Sequence, residues 1–344
     1  MQRFTTPTAL TSIAGLLAVA AAASLYWLTG SGPALAEPAS ITISANPIVW
    51  NPENPRDAQA GSLTYIGGLE LASSHPDFGG LSGLIVGKSG DALIAVTDQG
   101  NWFTANIQAD GDRPTGLDDA LLAPILDASG DQLSGKRNTD AESLTVAFGA
   151  DPRNSPTLVG FERNHRLQSH DLTSLGFEAS ATLIEDFGVF DNLENNGGLE
   201  AITYLPDGSL LALSEKTFDE DGHIIGARLT ADSATPVRLK QHLPYQLTDI
   251  DVLPNGDLIT LERHYSALAG VSMMMRRIPA DALETKDPLD GEVLVEANHT
   301  RSIDNMEGLS VRQDDDGRTL LYVVSDDNFN SVQRTLLLVF ALGD

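Results

Sequence analysis

Ile303–Asn328 reads IDNMEGLSVRQDDDGRTLLYVVSDDN. An acid, Glu307, stands just ahead of an apolar alternation. Asp316-Gly317 then offers a tight turn, and a second apolar run ends in Ser325-Asp326-Asp327-Asn328. Apolar residues alternating on either side of an Asp-Gly pair read as strand, turn, strand. Related text begins at Phe78 (FGGLSGLIVGKSGDALIAVTDQG), Asp140 (DAESLTVAFGADPRNSPTLVGFERNH), Asn196 (NGGLEAITYLPDGSLLALSEKT) and Gln246 (QLTDIDVLPNGDLITLERHY). The turn pairs in these copies are Gly90-Asp91, Asp151-Pro152, Asp207-Gly208 and Asn255-Gly256.

A unit repeated at a spacing of tens of residues settles the architecture before any site is argued. Aligned on their first strands, the copies place Ser82, Glu142, Glu200, Asp249 and Glu307 at one position, 60, 58, 49 and 58 residues apart. That spacing suits the four-stranded blade of a β-propeller, and the Val, Ile, Leu and Thr alternation excludes helical repeats. The expected fold is all-β: a single propeller of four-stranded antiparallel blades, closed by pairing N- and C-terminal strands. SLTYIGGLEL from Ser62 and RTLLLVFAL from Arg334 are the strands available for closure. With 45 residues between Ala36 and Ser82 and 38 from Glu307 onward, the leftover length predicts six blades, with five as the alternative.

The motifs GGLSGL, DAESLTV, FERNH, NGGLEAI, LTDIDVLPNGDLITLERHY and NMEGLSV…VVSDDN, in this order, resemble the phytase-like family, "esterase-like activity of phytase", of exported bacterial proteins. The resemblance extends over roughly residues 62 to 341. It implies hydrolysis of a phosphoester or carboxylic ester. The DADDPA-type stretch of calcium-dependent β-propeller phytases does not occur in this chain.

The start of the chain is different material. Arg3 is the only charge before Glu37, residues 9–28 are an apolar run, and Ala34-Leu35-Ala36 is a small-x-small cleavage site. Residues 1–36 therefore read as a secretory signal peptide, 37–61 as a linker and 62–344 as the propeller domain, with a periplasmic or secreted location. Because about 20 apolar residues can span a bilayer, an uncleaved anchor holding the propeller outside the cytoplasm is the alternative. Membrane contact is expected only in that case.

Among 344 residues there is no cysteine, so no disulfide framework is used. The formal charge of −27 repels phosphate backbones and anionic lipid heads, which excludes nucleic acid as a partner.

In a propeller, first strands line the central channel. Glu142, Glu200, Asp249 and Glu307 would converge there, with Ser82 as the uncharged member. Converging carboxylates need a cation, protons or arginine partners. Oxygen donors without a cysteine cluster or an H-E-x-x-H motif favour Ca²⁺, then Mg²⁺, so these four acids are the expected metal ligands. The alternative is that they accept hydrogen bonds from neighbouring blades and pair with arginine. Asn164, Asn196 and Asn305 could add neutral oxygens.

The second strands end in Asp98, Glu162-Arg163-Asn164-His165, Glu215-Lys216, Glu262-Arg263-His264 and Asp326-Asp327-Asn328. His165 and His264 each follow a Glu-Arg pair, so Glu162, Arg163, His165, Glu262, Arg263 and His264 are the candidate catalytic residues. Histidine beside carboxylates suits proton transfer, and arginine suits a small anionic ester. The competing reading is a structural Glu-Arg pair beside an exposed histidine. The corresponding function is a metal-dependent ester hydrolase, or else a noncatalytic envelope propeller binding a ligand or protein partner. GDQLSGKR from Gly130 has glycine and lysine at phosphate-loop spacing. Arg137 stands where Ser or Thr is needed, and no helix is expected to follow.

Overall fold

The computed structural model describes residues 38–343; the expected signal peptide and its cleavage site lie outside them. Five antiparallel sheets account for all the described strands. Preceding the first full blade are β1 (Ala39–Ser40), β2 (Ser44–Ile48), β3 (Gln59–Ala60) and β4 (Leu63–Ala72). The first blade is β5 (Leu81–Val86), β6 (Ala92–Thr97), β7 (Asn101–Asp110) and β8 (Arg113–Pro124), with β1 added at its outer edge. The second is β9 (Ala141–Val146), β10 (Thr157–Phe161), β11 (Arg166–His170) and β12 (Thr182–Ile184). The third is β13 (Leu199–Tyr204), β14 (Leu210–Phe218), β15 (Ile224–Leu229) and β16 (Ala234–Leu239). The fourth is β17 (Gln246–Val252), β18 (Leu258–Ser266), β19 (Gly270–Ile278) and β20 (Glu292–Asn298). The fifth joins β21 (Asn305–Gln313), β22 (Thr319–Asp326) and β23 (Thr335–Leu342) to β4, with β2 and β3 alongside β4.

Each innermost strand packs against two others: β5 touches β21 and β9, β13 touches β9 and β17, and β17 touches β21. The ring is closed. Pairing runs from Thr335 opposite Leu71 to Leu342 opposite Leu63, so the two chain ends share the fifth blade. The propeller and its closure are as expected, and the blade count is the alternative, five, not six. The leftover residues build one composite blade: the C-terminal segment supplies three strands and the N-terminal segment the fourth. Within the segment read as a linker, β1 pairs with β8 and β2 with β4.

The count has a physical counterpart in the core. Apolar side chains form five buried clusters, one in each junction between neighbouring blades. A blade is covered on both faces, so its strands read as continuous apolar runs. In β23, Leu336, Leu338 and Phe340 enter the junction with the fourth blade, while Leu337 and Val339 enter the junction with the first. Trp50 seals the first of these junctions: its indole donates to the Gln59 carbonyl at 2.9 Å and packs on Tyr65 and Phe340. Met273, Met274 and Met275 of β19 are buried packing material.

Candidate functional site

All five first strands slip register near their starts. Paired residues flank an extra one: Leu199 lies opposite Ser214 and Ala201 opposite Leu213, leaving Glu200 unpaired. The same slip falls at Glu142, Thr248 and Glu307, and at Ser82-Gly83 in the first blade. A bulge frees one residue from the ladder and re-aims its side chain, here in every blade at one end of the channel. The inner ring is therefore Ser82, Glu142, Glu200, Thr248 and Glu307.

The fourth blade departs from expectation by one residue. Asp249 is not at the ring position. Its carboxylate is buried in the junction, accepting from the Leu309 amide of the next blade at 2.7 Å and from Ile250 at 2.8 Å. Asp251 does the same for Val311, so these two acids stitch blades together. The shift extends to the second strand. Residues following those paired at the slip are Asp98, Glu162, Glu215, Arg263 and Asp326, so Arg263 occupies the place of an acid in an outer ring.

Contacts tie the rings together at this mouth. Ser82 donates to Glu142 at 2.9 Å, and Asn305 donates to Glu307 at 2.7 Å. Arg263 lies 2.8 Å from Glu307 and 3.4 Å from Glu215. Glu162 accepts from the amides of Gly197 and Gly198, the latter at 2.9 Å. Carboxylate oxygens of Asp140, Glu142 and Glu162 lie within 4.8 Å of one another, as do those of Glu162, Glu200 and Glu215. The two sets share Glu162. Glu200 is only 9% exposed, and among the described residues its carboxylate has no hydrogen-bond or ion-pair partner.

The remaining expected residues have other tasks. Glu262 is buried away from the mouth, accepting from Arg276 at 2.5 Å and Thr260 at 2.7 Å. His264 packs edge-on against Tyr245, ring centroids 6.4 Å apart. His165 packs on Gly198, leaving no room there for a Cβ, and its Nε2 contacts the Glu194 carbonyl at 3.1 Å. That wedge supports the Gly197-Gly198 segment on which Glu162 is held. Arg163, held at a left-handed φ of 58°, pairs with Asp140 and donates to Asn196 at 2.7 Å. Asn164 is exposed and donates to Asn138. Sequence reasoning left out Asp140 and Lys136 as site residues; both sit in the connection entering β9. DEDGH at Asp219 is a turn, Asp219 capping the amides of Asp221 and His223, although its three side chains also fall within 4.8 Å. Two surface clefts, of about 320 Å³ beside Arg166 and about 200 Å³ beside Trp50, include no ring residue.

Burial, and then the neighbouring carboxylates, push Glu142, Glu200 and Asp326 well above the usual range. Burial also lifts Glu307, to about 7 against the pull of Arg263. A carboxyl group whose affinity for protons is higher in the fold stabilises the fold fully below its ordinary pKa, and that contribution fades as pH rises through the raised value. Cation-free protein is therefore expected to melt higher at about pH 5 than at about pH 8. The loss is on the order of 1 to 3 kcal/mol. Melting curves across this range check it; a profile flat through pH 7 would mean that the ring carries no strained charge.

The fold and mouth define a five-bladed propeller with an acidic opening at one end of its channel. The chain belongs to the phytase-like family, "esterase-like activity of phytase", whose sequence profile matches residues 76–329. Among solved structures it is similar to a putative gluconolactonase at 11% identity and a TM-score of 0.41, covering 89% of this chain and 96% of that one. A gluconolactonase from Xanthomonas campestris gives 11% and 0.44, covering 87% and 99%. A hypothetical protein from Leishmania major gives 10% and 0.40, covering 79% and 91%. No curated protein matches the chain.

Proposed function

We propose that this chain is an exported hydrolase of a small carboxylic or phosphoric ester, working with a divalent cation at the acidic mouth. The observation that carries the reading is Glu200, a residue only 9% exposed whose carboxylate, set among other carboxylates, has no hydrogen-bond or ion-pair partner among the described residues. Glu142, Glu162 and Glu200, with Asp140 and Glu215 beside them, would hold the ion. An all-oxygen set suits Ca²⁺ best and Mg²⁺ next. When bound, such an ion would lower the pKa of a water and polarise the ester oxygen. Gly197 and Gly198 hold Glu162 in place through their amides, and Ser82 orients Glu142. Export rests on the apolar N-terminal run and its Ala34-Leu35-Ala36 site, with a membrane anchor as the other form of the same proposal.

One observation favours a second reading, a noncatalytic propeller that binds a ligand or envelope protein. Arg163 and Arg263 are already paired with Asp140, Glu215 and Glu307, so neither is free to orient an anion. A panel of chromogenic phosphate and carboxylate esters, with chelator or with Ca²⁺, Mg²⁺ or Mn²⁺, separates the two. Hydrolysis that chelator abolishes and one ion restores is the expected result. Cation binding with no turnover of any ester would leave the binding reading.

A further inference from the structure

The stretch Gly130–Arg137 is not a phosphate loop, but its lysine turns to the acids. Lys136 opens the one-turn helix Lys136–Thr139 in the connection between β8 and β9. Its ammonium donates to the Asp98 carboxylate at 2.8 Å and to the Asp98 carbonyl at 3.0 Å, and it pairs with Asp140. Asp98 follows the second strand of the first blade, and Asp140 immediately precedes the second blade. One ammonium thus bridges a blade junction at the rim of the mouth.

The two partners differ in how firmly they are held. The Asp140 side chain is 1% exposed, whereas that of Lys136 is 44% exposed. Gly135, just before it, has φ 74° with open space where a Cβ would stand. Lysine carries a compact charge on a flexible stem, unlike the planar guanidinium of Arg163, whose Nε pairs with the same Asp140 while a terminal nitrogen holds Asn196. Asp140 is also one of the three carboxylates that approach within 4.8 Å with Glu142 and Glu162. Glu200, nearly buried and without a partner among the described residues, marks the adjoining set as a place built for a ligand. An ion reaching this region meets a carboxylate that the lysine already occupies.

We propose that Lys136 is a tethered counter-ion that holds Asp98 and Asp140 in the cation-free protein and swings into solvent when a divalent cation enters the mouth. The inference rests on the cation reading above. A tethered single charge resists replacement by a dilute monovalent ion but yields to a double charge that engages several carboxylates at once. Competition of this kind lowers the apparent affinity by the fraction of time the site stands open. Lys136 would therefore set both the threshold concentration of the ion and the preference for divalent over monovalent ions.

Acylation of lysines followed by peptide mass spectrometry tests this on the intact protein, with Ca²⁺ as the probe. Labelling of Lys136 is expected to rise several-fold when Ca²⁺ is added, while exposed Lys286 stays constant. Unchanged or reduced labelling of Lys136 overturns displacement. In calorimetric titration, Lys136→Met is expected to bind Ca²⁺ more tightly, on the order of tenfold. Equal or weaker binding would mean that the lysine only positions Asp98 and Asp140. Should the variant not fold, labelling of the unaltered protein still decides. If the unaltered protein takes up no Ca²⁺, the cation reading falls and this inference with it; if it binds Ca²⁺ with Lys136 still protected, displacement alone falls.

Discussion

Deleting Arg334–Asp344 is expected to abolish the folded state, not merely to lower its melting temperature. The deletion removes β23, which lies between β22 and β4 and, among the described residues, is the strand that links the chain ends in the fifth blade. Five consecutive side chains, Leu336 to Phe340, are each 0% exposed. At about 1.5 to 3 kcal/mol for each buried side chain, their loss is roughly 10 kcal/mol, comparable with the whole stability of a typical domain. The damage also spreads, because Leu336, Leu338 and Phe340 serve one junction while Leu337 and Val339 serve the other. Two strand edges would be left unpaired, which invites association between chains. Size-exclusion chromatography and melting curves check the outcome. A soluble truncated protein with unchanged melting would show that β23 does not close the ring. A single change, Leu338→Ala, is expected to cost only about 2 to 5 kcal/mol and to leave a folded protein that melts earlier.

The same alternation explains what could be read from the sequence. Repeated strand-turn-strand text is visible because each blade needs apolar residues on both faces and a tight turn between its first two strands. The blade count was harder. β4 and β23 are separated by more than 260 residues and carry no mark of belonging together, so two half-blades look like two whole ones. The ring failed at one blade for a different reason. Matching acid to acid aligned Glu200 with Asp249, and matching Glu-Arg pairs aligned Glu162 with Glu262. Aligning LPDG at Leu205 with LPNG at Leu253 moves every residue by 48 and brings Glu200 onto Thr248 and Glu215 onto Arg263, as the register requires. Turn geometry was the better guide because it fixes strand register, whereas acids also serve as interblade stitches. Lys136 and Asp140 were out of reach for a third reason: their pairing with Asp98 depends on how a connection folds back over the rim.

Replacing Glu200 with Gln is the change that separates a built cation site from a ring of structural acids. The substitution keeps size and shape, and it breaks no internal hydrogen bond among the described residues. What it removes is one charge from a group surrounded by Glu142, Glu215, Glu162 and Glu307, and raised well above its ordinary pKa chiefly by burial. Divalent-cation affinity is expected to fall at least tenfold, since about 1.4 kcal/mol of lost attraction suffices for that. Any cation-dependent hydrolysis should fall with it. Cation-free Glu200→Gln should meanwhile melt higher than the unaltered protein at about pH 8 and show a shallower decline between about pH 5 and pH 8, because one repelling charge is gone. These two effects have opposite signs, so a general loss of structure cannot imitate them. Calorimetric titration paired with melting curves, with and without the ion, reads both. Equal cation binding by the two proteins would remove Glu200 from the site. A higher melting point with no cation bound by either would leave the mouth as a set of repelling acids held by Arg263, Lys136 and protons, and the ligand-binding reading would then stand.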